Sequence, residues 1–196
     1  IREILIITTP HDQERFKNLL GDGSRIGCRF EYVIQDRPRG LADAFIVGAN
    51  FIGSDKVCMI LGDNIFYGSA FGDALKKNTD PDGGIIFACH TATPERLGIV
   101  EFDANMKAIS IEEKPANPKS NYAVTGLYLF DNNVFKVIKT LKPSKRNQLE
   151  ITDVINSYLK NGALKYAFVE GFWSDAGTFS SLYKATSFIK EKKEVT

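Results

Sequence analysis

Apolar residues recur along this chain with two different periods, and the order in which those periods follow one another predicts an architecture. Residues 4–7 run Ile, Leu, Ile, Ile, the pattern of a strand buried on both faces. Residues 11–20 (HDQERFKNLL) then place Phe16, Leu19 and Leu20 at helical spacing. Residues 30–35 (FEYVIQ) read as a second strand, 40–52 (GLADAFIVGANFI) as a helix and 56–61 (KVCMIL) as a buried strand. Another helix over 71–78 and a strand over 84–92 continue the rhythm. Such alternation predicts an α/β fold with a largely parallel sheet, whose ligands lie beyond the carboxyl ends of the strands. From Gly98 the rhythm changes. Residues 98–103, 107–115 and 122–130 are strand patterns separated by Asn and Pro turns, the reading of a small antiparallel insertion at the sheet edge. Helices over 133–141 and 151–160, a strand over 165–170 and a closing helix over 178–194 complete the chain.

The segment Gly21-Asp22-Gly23-Ser24-Arg25-Ile26-Gly27 has the glycine spacing of a phosphate loop. Its flanks argue against that reading. A phosphate loop follows a strand and opens a helix, so that the helix N-terminus meets the anion. Here a helix precedes and a strand follows, so Gly21 is expected to be a helix C-cap with a polar turn behind it.

Composition narrows the class. At 196 residues and 43% hydrophobic, the chain suits one α/β domain with a sizeable core. With 25 Lys and Arg against 24 Asp and Glu, it carries no footprint for nucleic acid or an anionic membrane. No apolar run reaches transmembrane length. The three cysteines have no metal-ligand spacing; Cys58 and Cys89 sit in apolar runs as small hydrophobes, and a reducing cytoplasm is expected. His11 and His90 have no ligand-like partner nearby. The chain opens on Ile1 rather than Met, so a segment upstream is expected to have been removed.

Two acids stand out. Asp63, in Leu61-Gly62-Asp63-Asn64, follows a predicted strand, where a hard carboxylate suits Mg²⁺ shared with substrate phosphates; the alternative is an N-cap for the next element. Asp175, in GFWSDAGT, precedes a predicted helix and has the same two readings. Two acids at strand ends from opposite halves of one sheet favour the metal for both. In IEEKP, Pro115 is expected to hold Lys114 extended, with Lys114 meeting a phosphate and Glu113 accepting sugar hydroxyl hydrogen bonds; the alternative is a solvated strand end. Gln35 closes the second strand as an amide suited to a base edge or as an ordinary polar end, and Arg146 is either a phosphate contact or simply exposed.

Together, the segments IREILIITTP, LLGDGS, PRGLADAF, LGDNIFYG, PERLGIVEFD, ISIEEKP, KSNYAVTGLYLFD, LEITDVINSYL and WSDAGT resemble the sugar-nucleotide pyrophosphorylases. The glucose-1-phosphate thymidylyltransferases match best. Nine segments in the family's order cover nearly the whole chain. The resemblance implies a Rossmann-like nucleotide-diphospho-sugar transferase fold, one domain with a nucleotide-side half (1–97) and a sugar-side half (98–196). It implies a Mg²⁺-dependent transfer joining dTTP and glucose 1-phosphate to give dTDP-glucose and pyrophosphate, in a homo-oligomer. Carried over, it assigns Gln35 and Gly40 to the base, Asp63 and Asp175 to Mg²⁺, and Gly98, Glu113, Lys114 and Val124 to the sugar phosphate. Arg146 falls near the sugar phosphate, and Tyr67 and Trp173 shape the pocket. The family's G-G-x-G-T-R-L loop does not occur in these 196 residues, and GDGSRIG lies on the wrong side of its helix to replace it. Further C-terminal helices of longer relatives are absent too. The resemblance therefore leaves two alternatives open: a non-catalytic sugar-nucleotide-binding or assembly module, and a UTP-using pyrophosphorylase.

Overall fold

The structure is a computed structural model and describes residues 1–194. Its backbone divides into two compact units, residues 1–55 with 132–154, and residues 56–131 with the chain from Ile155 on.

In the first unit, β1 (Glu3–Thr8) pairs in parallel with β2 (Arg29–Ile34), joined through α1 (Gln13–Leu20). Helix α1 ends at Gly21, whose N–H donates to Lys17 O, and a 3₁₀ turn over Ser24–Ile26 follows. Asp22 Oδ1 accepts from both the backbone N–H and the hydroxyl of Ser24, so GDGSRIG is a connection, as its flanks predict. The helix expected over 40–52 is two pieces, α2 (Asp43–Val47) and α3 (Ala49–Ile52), divided at Gly48. There a Cβ would stand 3.1 Å from both Ala44 O and the Leu5 side chain. Helix α5 (Val134–Ile138) completes this unit. Contrary to expectation, β1 is not buried on both faces. Ile4–Ile7 are half-buried and only Thr8 is buried, because β2 is the one strand paired with β1 among the described residues.

The second unit is built around β8 (Tyr122–Phe130), eight of whose nine residues are buried. Strand β5 (Gly84–His90) pairs antiparallel along one side of it. On the other side lie β6 (Gly98–Phe102) at its start and β3 (Val57–Ile60) at its end, also antiparallel. β7 (Ala108–Glu113) borders β6, and β9 (Leu164–Phe168) runs parallel to β5. The α/β class stands, but the sheet of this unit is not mostly parallel. Strand–helix rhythm does not say which strands become neighbours, and β8 enters beside β5 and β3 with the opposite sense. Among the described residues, strand β3 pairs with β8 alone and is half-buried, with Ile60 exposed.

Ile85, Phe87, Leu127 and Leu129 form the core on one face, packed by Phe71, Ala74 and Leu75 of α4 (Ser69–Lys77). Helix α6 runs over Ile151–Lys160; within the second unit, Asn156 Nδ2 donates to Ile111 O at 2.8 Å and its Oδ1 accepts from Ile111 N at 3.2 Å. That pair of bonds satisfies a stretch of β7, the edge of the sheet.

Two strands absent from the hydrophobic pattern decide the rest. β4 (Asn64–Tyr67) and β10 (Phe172–Asp175) form a separate antiparallel ribbon in which Asn64 lies opposite Asp175 and Phe66 opposite Trp173. Strand alternation puts these four residues on one face. Phe66 stacks on Phe71 at 4.5 Å on that face. On the other face Phe188 of α7 (Phe179–Glu194) stacks on Phe172 at 4.1 Å and meets Tyr67 edge-on at 5.9 Å.

Candidate active site

The ribbon brings together LGDN and WSDAGT, more than a hundred residues apart in the chain. A turn closes on Asn64 N–H donating to Leu61 O, so Asp63 stands between β3 and β4 and not at the carboxyl end of a strand facing a helix. Asp175 ends β10. The two acids thus flank one end of a two-stranded ribbon; both stand at strand ends, as expected, but β10 lies in the ribbon and β3 in the larger sheet, so they do not share one sheet. The ribbon forms because Phe66, Phe172 and Trp173 each have an apolar surface to cover.

Neither acid caps a helix. The element after Asp63 is a strand. Helix α7 is capped by Thr178, whose Oγ1 accepts from Ser181 N–H at 3.2 Å while Ser181 Oγ accepts from Thr178 N–H at 3.1 Å. Asp175 Oδ1 instead accepts from Gly177 N–H at 2.9 Å. A Cβ on Gly177 would stand 2.9 Å from Asp63 Oδ2 and 2.9 Å from Asp175 Oδ1. The two carboxylates therefore border one gap that the glycine leaves open. Hard oxygen donors in a pair, with room left for other ligands, fit a divalent ion that takes its remaining coordination from water and phosphate. No group of three or more His, Cys, Asp and Glu that could hold a metal occurs among the described residues, so a protein-only cage is not what this site offers.

In the same unit, Gly98 and Glu113 are direct partners across β6 and β7, and Lys114 N–H donates to Leu97 O at 3.0 Å. Lys114 is not extended. Its φ is +46°, because the ladder runs one residue past β7 before the chain turns to bury Pro115. A left-handed lysine costs on the order of 1–3 kcal/mol and persists only where its surroundings impose it. Val124 is buried in β8, beside Ala123, which pairs with Ile99. Burial first, then the charges of Glu113 and Asp63, push the Tyr128 hydroxyl above its ordinary range, so both carboxylates act on one buried ring. Tyr67 lies on the ribbon face opposite Asn64, against Phe188.

Gln35, Gly40 and Arg146 belong to the first unit. Gln35 Nε2 donates to Asp43 Oδ2 at 2.7 Å and to Gly40 O at 3.4 Å. Asp43 is 3% exposed and also takes Arg39 Nε at 3.1 Å, a bond that raises the Arg39 guanidinium pKa. Gly40 is held at φ +102° against Leu149, whose O would lie 2.3 Å from a Cβ. Leu149 N–H donates to Arg39 O at 2.7 Å, joining PRGLADAF to LEITD. Arg146 grips Glu150 through Nε at 3.2 Å and Nη2 at 2.8 Å. Two residues that the sequence reading passed over emerge as organisers, Asp43 and Asn64. Asp43 lies in PRGLADAF and Asn64 in LGDNIFYG, and in neither does the sequence alone signal the hydrogen bonds the residue makes.

The chain belongs to the nucleotidyl transferase family, whose model matches residues 1–192, and its mixed α/β fold is that of the nucleotide-diphospho-sugar transferases. A glucose-1-phosphate thymidylyltransferase of Neisseria meningitidis is 50% identical over 198 aligned positions, covering 100% of this chain and 69% of that protein. A solved structure from Bacillus anthracis, assigned as a glucose-1-phosphate thymidylyltransferase and complexed with a sucrose, superposes with TM-score 0.86 at 42% identity, covering 94% of this chain and 75% of that one. A UDP-glucose pyrophosphorylase complexed with UDP-glucose shares the fold at TM-score 0.79 and 22% identity, covering 97% of this chain and 81% of its own. Nucleotidyltransferases of this family generally use a divalent metal. Among the described residues no helix is long and apolar enough to cross a membrane.

Proposed function

We propose that this chain acts as a glucose-1-phosphate thymidylyltransferase. A phosphate oxygen of glucose 1-phosphate attacks the α-phosphorus of dTTP, the new P–O bond forms as the bond to the β-phosphate's bridging oxygen breaks, and pyrophosphate leaves with that electron pair. The observation that carries the reading is the 50% identity to a thymidylyltransferase across the entire chain. Asp63 and Asp175 would hold Mg²⁺, which when bound supplies neutralisation of phosphate charge. Gln35 and Gly40 read the base, and Gly98, Glu113, Lys114 and Val124 bind the sugar phosphate. Arg146 exchanges Glu150 for phosphate, and Trp173 and Tyr67 shape the surroundings. Little covalent work falls to the side chains; they position and neutralise. The protein works as a homo-oligomer in the cytoplasm.

The test is pyrophosphate release from glucose 1-phosphate with dTTP and, separately, UTP, with Mg²⁺ or chelator, alongside binding of dTDP-glucose. Asp63→Asn should lower turnover on the order of 10²–10³-fold with the fold retained. Preference for UTP would assign a uridylyl donor. Binding of dTDP-glucose without release under any condition would replace the enzyme by a non-catalytic sugar-nucleotide-binding or assembly module.

A further inference from the structure

Three strands of the second unit meet on one side-chain amide. Asn64 Oδ1 accepts from Gly126 N–H at 2.9 Å and from Trp173 Nε1–H at 2.7 Å. Its Nδ2 donates to Asp63 Oδ1 at 2.9 Å. The two N–H donors settle which end of the amide is oxygen, since the rotated form would set its NH₂ against two donors and its carbonyl against a carboxylate.

Each donor is available for a local reason. The β3–β8 ladder ends at Ile60 opposite Leu127; just past it Gly126 O accepts from Leu61 N–H at 2.9 Å, and with no further β3 residue to take it, the Gly126 N–H goes to Asn64. A Cβ on Gly126 would stand 2.6 Å from Asn64 Cγ, so only glycine leaves room for the amide. Trp173 shares the ribbon face of Asn64, opposite Phe66 in the register, and its N–H is turned to the amide oxygen.

The consequence falls on Asp63. With Oδ1 occupied by the amide, Oδ2 is the oxygen that borders the gap at Gly177 together with Asp175 Oδ1. We propose that Asn64 is a positioning residue that locks the rotation of the Asp63 carboxylate, turning Oδ2 toward Asp175 in readiness for a divalent cation, and that Trp173 acts on the metal site through Asn64. This rests on the metal reading of Asp63 and Asp175 above.

The probe is Mn²⁺, titrated against the intact chain without nucleotide and followed by the paramagnetic resonance of the free ion, with thermal melts reporting the fold. Asn64→Ala should weaken Mn²⁺ binding about 10-fold or more, as loss of a partner that orients a ligand does. Trp173→Phe keeps an aromatic ring at this position but removes the N–H, and should weaken binding by a smaller factor. The double variant should bind no more weakly than Asn64→Ala alone. Parental affinity in folded Trp173→Phe overturns the proposal, as does a double variant whose loss is the product of the two single losses. If Asn64→Ala does not fold, Trp173→Phe decides by the same criterion. Asp63→Asn is the separate control. If the parental chain does not bind Mn²⁺, or binds it equally well with Asn at 63, the metal reading falls and the role of Asn64 falls with it. If Asp63→Asn abolishes binding while the other variants leave it intact, only the positioning role is lost.

Discussion

The two units hold their candidate residues in opposite ways. In the second, the acids hang on a ribbon packed on one face by Phe71 and on the other by Phe188, and each leaves an oxygen beside an open gap. In the first, the candidates are already engaged with acids of their own unit, Gln35 with Asp43 and Arg146 with Glu150. The sheets differ likewise. Phe87, Val100 and Phe130 are completely buried, whereas β1 is half-buried along most of its length. A site that sets two carboxylates on one gap needs a rigid support to hold them there. One made of amide and guanidinium groups with internal partners can sit on a looser frame and exchange those partners for substrate.

The widest expected gap between the units is in stability. Phe87→Ala removes a fully buried ring and should cost about 3–5 kcal/mol, while Ile6→Ala, on half-buried β1, should cost less than about 2 kcal/mol. Urea unfolding read by circular dichroism compares the two, and the single tryptophan, Trp173, reports the second unit separately. Equal costs would break the contrast. Next comes Asp43→Ala, which removes the buried acceptor shared by Gln35 and Arg39 and should cost about 1–3 kcal/mol. It should also raise the KM for dTTP more than it lowers kcat; a kcat loss alone would remove Asp43 from base binding. The smallest effect concerns one hydroxyl in each unit. Thr8 Oγ1 and Thr125 Oγ1 are buried without a hydrogen-bond partner among the described residues. Thr8→Val and Thr125→Val should leave stability unchanged within about 1 kcal/mol or raise it. A larger loss at one site would show that its hydroxyl is satisfied in solution.

Much of this was legible along the chain. The strands from Ile4, Phe30, Gly98 and Tyr122, the helix over 151–160 and the closing helix follow directly from apolar period, because each element long enough to cover a core face repeats its pattern. Flank order alone rejected GDGSRIG as a phosphate loop, and Gly21 does cap the helix before it. Asp63 and Asp175 stand out in the sequence as acids beside strands, but the ribbon that brings both to one gap does not. NIFY and FWSD are four residues each, too short to show a period, and each becomes a strand only because the other is there.

The sequence by itself therefore determined the class, the long elements and the residue types available for chemistry. Tertiary structure decided which strands became neighbours, that Lys114 turns where a proline predicts extension, and which Asp63 oxygen stays free. Periodicity records whether a residue is covered, which is a local property of one element. Register between short strands, and the direction of a single amide, depend on partners supplied by distant segments, and those exist only once the chain has folded.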